Sequence, residues 1–524
     1  MLNPLQKLRQ QYLCTLPQIL NRLERVGFVQ AKEQIEQKDS PSIQELFPHT
    51  FHSAVVEAVE TKESKVFSPL RVGVLFSGGQ AAGGHNVISG LFDALKKMSS
   101  QSVLFGFLKG PGGIIEGKYV ELDEQKIAPY RNQGGFDLIG SGRTKIETEE
   151  QLKASLATAT ALQLDGVVIV GGDDSNTNAA ILAEYFLKER CPTKVIGVPK
   201  TIDGDLRNAF VPISFGFDTA TKIYSEMISN LARDALSAKK YYHFIKLMGR
   251  SASHITLECA LATRPNYTLI GEEIAAQKVT LAQIVERIAD LICRRSMQKK
   301  SYGIILIPEG IIEFIPEMAT LIGELNQNAS PDALSFASLR CFEILPKEIQ
   351  KQLLFDRDPH GNVQLSLVET EKLLIELVAK ELSRRSDYKD KFYPLSHFFG
   401  YEGRAGYPSN FDCHYCYALG VTAALLLQEG LTGYLAAIRQ LSYPAADWSI
   451  GGVPLVKLLT LESRKGKMKP VIQKALVDLK GKAFHFFSQE RHKWEIEDNY
   501  RFVGPMQFFG PQEITDAIAL SLKF

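Results

Sequence analysis

The chain contains 524 residues, of which 45% are apolar and 23% are charged, and its formal net charge is +1. This length exceeds what one hydrophobic core supports, so we expect two or more domains. The nearly neutral charge argues against a nucleic-acid or other general polyanion-binding protein, so any recognition of phosphate must be local. Seven scattered cysteines do not form a disulfide framework and no apolar run predicts a membrane span, so we expect a protein of the reducing cytoplasm.

Residues 1–70 predict a helical extension, because Leu5, Leu8 and Tyr12 recur at helical spacing. Beyond it, each of several short apolar runs is followed by an unusual turn. The runs are 71–76, 166–170, 194–198, 241–247 and 304–307. Apolar strands that alternate with helical stretches are typical of parallel sheets covered by helices on both faces. The predicted fold class is therefore α/β, with two Rossmann-like three-layer domains, parallel-type sheets, a helical amino-terminal extension and helical insertions.

The change of pattern along the chain predicts five segments. They are a helical extension at 1–70, a first α/β domain at 71–215 with a return of the chain near 396–440, a second α/β domain at 216–314, a helical insertion at 315–395, and a helical segment with a tail at 441–524. In such sheets ligands bind beyond the carboxyl ends of the strands. The turns at those ends are therefore the candidate functional segments.

The first such turn is a glycine-rich loop at 77–86, between a predicted strand and a predicted helix. Its sequence is SGGQAAGGHN, which places four glycines in seven positions. Glycines let backbone N–H groups approach an oxyanion, and the start of a helix favours negative charge. The loop predicts anion binding, and the alternative is a tight turn that needs glycine only for packing.

The second turn, at 171–177, places Asp173 and Asp174 side by side at a strand end. Adjacent carboxylates repel each other unless a cation or hydrogen-bond donors offset their charge. Magnesium takes oxygen ligands and often binds one or two carboxylates plus substrate phosphates. One carboxylate is therefore a candidate Mg²⁺ ligand, and Ser175 and Asn176 are candidates for capping the following helix. The alternative is that both acids only mark a helix start.

The third turn has the sequence PKTIDGD at 199–205. An aspartate beyond a strand end can accept a proton from a substrate hydroxyl, as the catalytic aspartate does in phosphoryl transfer. Asp203 is the candidate base, and Lys200 adds positive charge next to the acids. The alternative is a surface turn with a chance Asp-Gly-Asp sequence.

Two arginines and a carboxylate follow at predicted loop positions, namely Arg250, Glu309 and Arg404. Arginine binds phosphate through two parallel hydrogen bonds, and glutamate accepts hydrogen bonds from sugar hydroxyls. Together these residues predict a phosphorylated substrate rich in hydroxyl groups. For either arginine taken alone, the favoured interpretation is a surface ion pair.

The whole ordered set closely resembles the phosphofructokinase family, specifically its pyrophosphate-dependent, long-chain branch. The matching motifs are the loop at 77–86, GGDDSNT at 171–177, PKTIDGD at 199–205, MGR at 248–250, PEG at 308–310 and GYEGR at 400–404. The resemblance implies reversible transfer of a phosphoryl group from pyrophosphate to the 1-hydroxyl of fructose 6-phosphate. It also implies that the first α/β domain binds pyrophosphate and Mg²⁺ and that the second binds fructose 6-phosphate.

The resemblance assigns roles residue by residue. Catalysis would fall to Asp203, Asp205 and Lys200, Mg²⁺ to Asp173, and pyrophosphate to Gly79 and, as an additional phosphate-side arginine, Arg143. The residues that would line the fructose 6-phosphate site are Thr201, Ile202, Asp203, Lys240, Tyr241, Met248, Gly249, Arg250, Glu309, Tyr401, Glu402, Gly403 and Arg404. Family members place one sugar-phosphate contact across a subunit interface, here at 240–241, so a homodimer or larger assembly is expected. Whether the assembly also contains a second kind of subunit is left open.

The identity of the phosphoryl donor depends on two positions. Relatives that use ATP have glycine where this chain has Asp174 and where it has Lys200. A carboxylate at 174 would occupy the space of the α-phosphate of ATP and repel its charge, while Lys200 would neutralise the leaving phosphate. The resemblance therefore favours pyrophosphate. The alternatives are an ATP-dependent 6-phosphofructokinase and a non-catalytic regulatory subunit.

Overall fold

A computed structural model describes residues 3–328, 330–357, 362–464 and 467–524, and these residues form two compact units. Unit 1 runs up to Ala220 and includes Arg404–Ala475 and Gln507–Ile518. Unit 2 includes Thr221–Gly403, Leu476–Met506 and Ala519–Phe524. Within the described residues, no helix is both long enough and apolar enough to cross a membrane.

The strands are short, and most of them are buried. In chain order they are β1 Val26–Gln30, β2 Val56–Glu60, β3 Arg71–Ser77, β4 Val103–Phe107, β5 Tyr119–Leu122, β6 Ser141–Gly142, β7 Gly166–Gly171, β8 Lys194–Pro199, β9 Lys240–Leu247, β10 Tyr267–Thr268, β11 Ser301–Pro308, β12 Pro394–Phe399, β13 Tyr434–Arg439, β14 Ser449–Pro454, β15 Leu459–Arg464 and β16 Lys467–Ile472.

Helices separate most of the strands. In chain order they are α1 Pro4–Gln11, α2 Ser40–Leu46, α3 Gly84–Met98, α4 Pro111–Glu116, α5 Glu124–Ile127, α6 Glu149–Ala161, α7 Asp173–Lys188, α8 Phe217–Ala238, α9 His254–Thr263, α10 Gly271–Gln277, α11 Leu281–Met297, α12 Ile311–Phe314, α13 Pro316–Gln327, α14 Phe336–Ile344, α15 Lys347–Phe355, α16 Thr370–Arg384, α17 Tyr401–Arg404, α18 Asn410–Gln428, α19 Lys482–Ile496 and α20 Gln512–Thr515.

Unit 1 is built on one mixed sheet with the strand order β1-β2-β14-β13-β8-β7-β3-β4-β5, and β6 pairs with the end of β3. From β13 to β4 the neighbouring strands are parallel, and the remaining neighbours are antiparallel. The central strands are continuous apolar runs, and Val167, Val168 and Ile169 of β7 are buried. Such runs form central strands because both faces of a parallel sheet are covered. The predicted α/β class is confirmed.

The register of unit 1 brings the carboxyl ends of its central strands together. Gly171 at the end of β7 lies opposite Pro199 at the end of β8. Phe76, next to the end of β3, lies opposite Val170 on one side and Ser141 of β6 on the other. The predicted turns at 77–86, 171–177 and 199–205 therefore start from neighbouring points on one edge of the sheet.

Unit 2 contains a four-stranded sheet with the order β10-β11-β9-β12, in which every neighbouring pair is parallel. Leu247 at the end of β9 lies opposite Pro308 of β11 and Phe399 of β12. The motifs at 248–250, 308–310 and 400–404 therefore follow three adjacent strand ends. Helices α13 to α16 occupy most of the stretch predicted as a helical insertion.

Two predicted helical segments contain strands, and in this respect the prediction is wrong. The amino-terminal extension includes β1 and β2, which pair antiparallel, and β2 also pairs with β14, where Glu57 lies opposite Gly451. The segment at 441–524 includes β14 and the hairpin of β15 and β16. Strands of five or six residues give a weak periodic signal, and a partner almost 400 positions away leaves no local trace in the sequence.

Candidate active site

The three turns at the edge of the unit 1 sheet are joined by hydrogen bonds. The Ser175 hydroxyl donates to the Ser77 hydroxyl at 2.7 Å, which connects the second turn to the first. The Lys200 backbone N–H donates to the Gly171 carbonyl at 2.9 Å, which connects the third turn to the second. The structure therefore brings together the motifs that the sequence singled out in unit 1.

The glycine-rich loop lies beside two cationic side chains. Gly78 has a φ of +87°, and a Cβ atom there would lie 3.2 Å from Lys200 Nζ. A Cβ atom on Gly79 would lie 3.5 Å from Arg404 Nη1. Because neither position carries a side chain, the loop backbone faces the positive charges of Lys200 and Arg404 at close range, which is what a phosphate-binding loop requires.

His85, near the end of the same loop, points into the protein interior and not toward the three turns. His85 is buried in α3, its Nδ1 lies 3.1 Å from the Gln133 carbonyl oxygen, and its Nε2 accepts from the Leu138 N–H at 3.3 Å. These two partners fit a neutral ring, and burial lowers the pKa of His85 to about 4, although Asp137 Oδ1, 3.6 Å from Nε2, acts in the opposite direction. His85 is therefore structural.

We expect the buried ring of His85 to make unit 1 sensitive to acid. An unfolded histidine titrates near ~6.5. Between that pH and the lower pKa of the folded state, the unfolded chain binds the proton and the folded chain does not. The contribution of His85 to the free energy of unfolding is therefore fully present above this range and is lost as the pH decreases through it. At pH 5 the loss from His85 should reach about 2 kcal/mol.

Scanning calorimetry at pH 7 and pH 5 checks this expectation. His85→Asn should reduce the difference between the two unfolding temperatures, whereas substitution of the exposed His52 by asparagine should leave it unchanged. Equal pH dependence in the two variants would contradict the assignment.

Lys200 stands among the acids of the second and third turns and is only 6% exposed. Burial lowers the pKa of its ammonium to about 8, and the charge of Arg404 acts in the same direction. The carboxylates of Asp203, Asp173 and Asp205 act against that shift. Lys200 is therefore a buried cation that three nearby carboxylates keep charged near neutral pH.

Asp205 is the most buried of these acids, at 5% exposure. Burial raises the pKa of its carboxyl to about 7, the charges of Asp203 and Asp173 add to the rise, and Lys474 opposes it. Asp203 is half-buried, and its backbone N–H donates to the Thr201 hydroxyl at 3.1 Å. The third turn therefore holds one enclosed and one accessible carboxylate.

Lys474 is a residue of this site that the sequence did not point to. Its Nζ lies 3.6 Å from Asp173 Oδ2 and 3.9 Å from Asp205 Oδ2. The sequence around it, KPVIQK, contains no glycine-rich turn or acidic pair that would have marked it. Only the folded hairpin of β15 and β16 brings it to the acids.

The two acids of the second turn differ in their surroundings. Asp173 and Asp174 occupy the first turn of α7, where Asp173 is half-buried and Asp174 is exposed. The expectation that Ser175 and Asn176 cap α7 is wrong, because no side chain caps this helix. Ser175 instead bonds to Ser77, and the Asn176 amide donates to the carbonyls of Gly171 and Gly172 at 2.6 and 2.9 Å. Both residues fix the turn that carries the acids.

Arg143 follows β6 and is exposed. Strand β6 pairs with the end of β3, and the Gly78 N–H donates to the Gly142 carbonyl at 2.9 Å. The backbone of Arg143 therefore lies next to the glycine-rich loop, as a phosphate-side arginine requires.

The predicted sugar-phosphate residues of unit 2 gather at the carboxyl edge of its own sheet. Glu309 is 3% exposed and accepts from the Gly249 N–H at 2.9 Å, which joins two of the predicted motifs. Gly249 has a φ of +132°, and Arg250 after it is exposed. The Glu402 carboxylate accepts from the Gly400 N–H at 3.1 Å in the third motif. Met248, Tyr401 and Gly403 belong to the same three strand ends.

Lys240 and Tyr241 are not part of this cluster. They form the amino end of β9, whereas Met248 follows its carboxyl end, and eight extended residues separate the two ends by roughly 23 Å. At that opposite end, the Lys240 ammonium lies 4.1 Å from the centre of the Tyr393 ring. The two residues therefore cannot contact the same small ligand as Met248 within one chain.

Known proteins resemble this chain over most of its length. The family model described as Phosphofructokinase matches residues 71–427. The pyrophosphate–fructose 6-phosphate 1-phosphotransferase of Treponema pallidum is 50% identical over 99% of this chain and 96% of its own length. The subunit beta 1 of that name from Arabidopsis thaliana is 52% identical over 90% of this chain and 85% of its own length.

The same fold occurs in the crystal structure of a pyrophosphate-dependent phosphofructokinase from Nitrosospira multiformis, with a TM-score of 0.56 and 15% identity over 85% of this chain and 95% of that one. The motifs, the extent of the family match and the identity to full-length relatives all lead to one assignment. The chain belongs to the phosphofructokinase family.

Proposed function

We propose that this chain transfers a phosphoryl group reversibly from inorganic pyrophosphate to the 1-hydroxyl of fructose 6-phosphate, giving fructose 1,6-bisphosphate and phosphate. The observation that carries the proposal is the position of Lys200, buried among Asp173, Asp203 and Asp205 beside the glycine-rich loop. The names of the relatives from Treponema pallidum and Arabidopsis thaliana support the same substrates. The cytoplasm is the proposed location.

In the proposed reaction, the sugar hydroxyl attacks the nearer phosphorus of pyrophosphate in line and orthophosphate leaves. Asp203, the accessible carboxylate of the third turn, takes the proton of the hydroxyl as the new bond forms. Lys200 stabilises the charge that develops on the leaving phosphate. Asp205, enclosed next to Asp203, helps to keep Lys200 charged.

The residues fit a Mg²⁺ ion that substrate phosphates help to bind. Within the described parts of the chain, no three His, Cys, Asp or Glu side chains converge as a metal site. Mg²⁺ commonly takes one or two protein carboxylates and completes its shell with phosphates and water, and half-buried Asp173 at the phosphate-side edge suits that arrangement. When bound, Mg²⁺ would neutralise phosphoryl oxygens.

In unit 2, we assign the binding of the sugar phosphate to Met248, Gly249, Arg250, Glu309, Tyr401, Glu402 and Gly403. In unit 1, Thr201, Ile202, Asp203 and Arg404 belong to the same assignment, and Gly79 and Arg143 bind pyrophosphate. Lys240 and Tyr241 lie at the wrong end of β9 for their own chain. They would serve a neighbouring subunit, so we propose a homodimer or larger assembly. A second subunit type is compatible with the subunit naming of the plant relative.

A donor assay tests the proposed function. Purified protein is supplied with fructose 6-phosphate and either pyrophosphate or ATP at equal Mg²⁺, and formation of fructose 1,6-bisphosphate is followed. We expect turnover with pyrophosphate and little with ATP, because Asp174 and Lys200 are both present. Activity with ATP alone would overturn the donor assignment. Inactivity with both donors would favour a regulatory subunit, provided that calorimetry shows a folded protein.

A further inference from the structure

A four-residue segment, Ile472–Ala475, contacts the second and third turns of unit 1. It is called the strap here and begins at Ile472, the last residue of β16. The Ile472 N–H donates to the Thr177 hydroxyl at 3.1 Å, and that hydroxyl donates to the Asp173 carbonyl at 2.9 Å. The Ala475 N–H donates to the Asp205 carbonyl at 2.7 Å. The strap is therefore anchored to the second turn at one end and to the third turn at the other.

Lys474 lies between these two anchors and bridges the side chains of the same two turns. Its ammonium lies within 4 Å of one carboxylate oxygen of Asp173 and of Asp205, at 3.6 and 3.9 Å. The Lys474 side chain is 40% exposed and the Asp205 side chain only 6%. Lys474 therefore brings positive charge from the solvent side to half-buried Asp173 and enclosed Asp205, whereas Lys200 is itself enclosed.

A cavity of about 520 Å³ borders the strap. Most of its lining residues are uncharged, and the charged ones are Glu36, Lys38, Arg207, Lys457 and Lys474, so basic side chains outnumber acidic ones. Positive charge around a cleft raises the local concentration of anions. Because the Lys474 side chain is 40% exposed, its positive charge acts on anions that approach the acids from the solvent.

We propose that Lys474 is a positioning residue for pyrophosphate, acting through Asp173 and Asp205. It holds the two carboxylates in one arrangement and offsets their mutual repulsion where a further anion must bind. Lys474 lies beyond residues 71–427, which the family model matches, so that match assigns it no role. The proposal rests on the proposed function, because it concerns the pyrophosphate half of that reaction.

Substitution of Lys474 separates this role from a structural one. For Lys474→Met we expect the KM for pyrophosphate to rise about tenfold, as loss of a charged contact predicts. The KM for fructose 6-phosphate and the unfolding temperature should stay as in the wild type. Lys474→Arg, which keeps the charge, should restore most of the affinity. The matched control is Lys469→Met in β16, whose ammonium pairs with Glu147 at 3.6 Å and which should behave as the wild type.

A binding measurement provides a second readout. Calorimetric titration of pyrophosphate, with and without Mg²⁺, should show a weaker affinity in Lys474→Met under both conditions. An unchanged affinity, or equal losses for both substrates together with a lower unfolding temperature, would overturn the proposal. A wild-type protein that binds pyrophosphate but does not turn it over would instead contradict the proposed function, and the comparison of the variants would still test Lys474.

Discussion

Replacement of Asp203 by serine should lower kcat by about 10²- to 10⁴-fold, the usual contribution of a well-placed general base. The sugar hydroxyl would then lose its proton acceptor, while the residues assigned to the sugar phosphate remain. Binding of fructose 6-phosphate should therefore persist and can be measured by calorimetry. The fold should tolerate the change, because Asp203 is half-buried and its turn is fixed by backbone contacts of Thr201, whose carbonyl accepts from the Ser214 hydroxyl at 2.9 Å.

The pH of the assay separates two consequences of this substitution. Among the carboxylates that raise the pKa of Lys200, Asp203 has the largest effect, and that pKa is about 8. Removal of the Asp203 carboxylate therefore makes Lys200 easier to deprotonate. If activity is lost because Lys200 is deprotonated, it should return as the pH is lowered from 7.5 to 6.5, because the ammonium is restored. If activity is lost because the proton acceptor is missing, it should not return.

The exposed Asp447 provides a matched control, and Asp447→Ser should retain wild-type kinetics. Wild-type turnover in Asp203→Ser would show that another group accepts the proton. Full recovery of that variant at pH 6.5 would assign the effect to Lys200 instead.

Glycine at both 174 and 200 should shift the donor preference toward ATP. We expect the ratio of kcat/KM for ATP to that for pyrophosphate to rise by about 10²-fold, since a like charge opposite a phosphate costs several kcal/mol. Asp174 is exposed in the first turn of α7, so its removal opens space without exposing core. Lys200 is buried among three carboxylates, so its removal should also lower the unfolding temperature.

The single variants distinguish the two roles. Asp174→Gly alone should admit ATP and keep part of the pyrophosphate activity, whereas Lys200→Gly alone should lose pyrophosphate turnover and gain nothing with ATP. Kinetics with both donors, on protein shown to be folded by calorimetry, gives the ratios. A ratio that does not move in the folded double variant would contradict the assignment of both residues to donor choice.

The sequence predicted the central sheet and the turns around it because both depend on short local patterns. Strands β3, β7 and β8 begin as predicted and end within one residue of the predicted positions, since the apolar run of each stops at Ser77, Gly171 or Pro199. The gathering of 77–86, 171–177 and 199–205 follows from the rule that parallel strands end at one edge. These are the parts of the site that local chemistry specifies.

What the sequence did not predict depends on contacts between distant segments. Strand β2 has the short sequence VEAVE, which does not alternate regularly, and its neighbour β14 is almost 400 positions away in the sequence. Lys474 reaches Asp173 and Asp205 only because β15 and β16 turn the chain back toward the acids. Ser175 and Asn176 have typical capping side chains, yet nearby Ser77 and the carbonyls of Gly171 and Gly172 offer them other partners.

The position of β14 in the sheet of unit 1 has a consequence for the newly made protein. This strand lies between β2 and β13, so segments almost 400 residues apart in the sequence are neighbours in one sheet. At about 5–20 residues per second, the ribosome needs roughly 20–80 seconds to pass from β2 to β14. Until then β1 and β2 leave an open strand edge, which can pair with other chains. The sheet of unit 1 therefore gains its full strand order only well after β1 and β2 have been made.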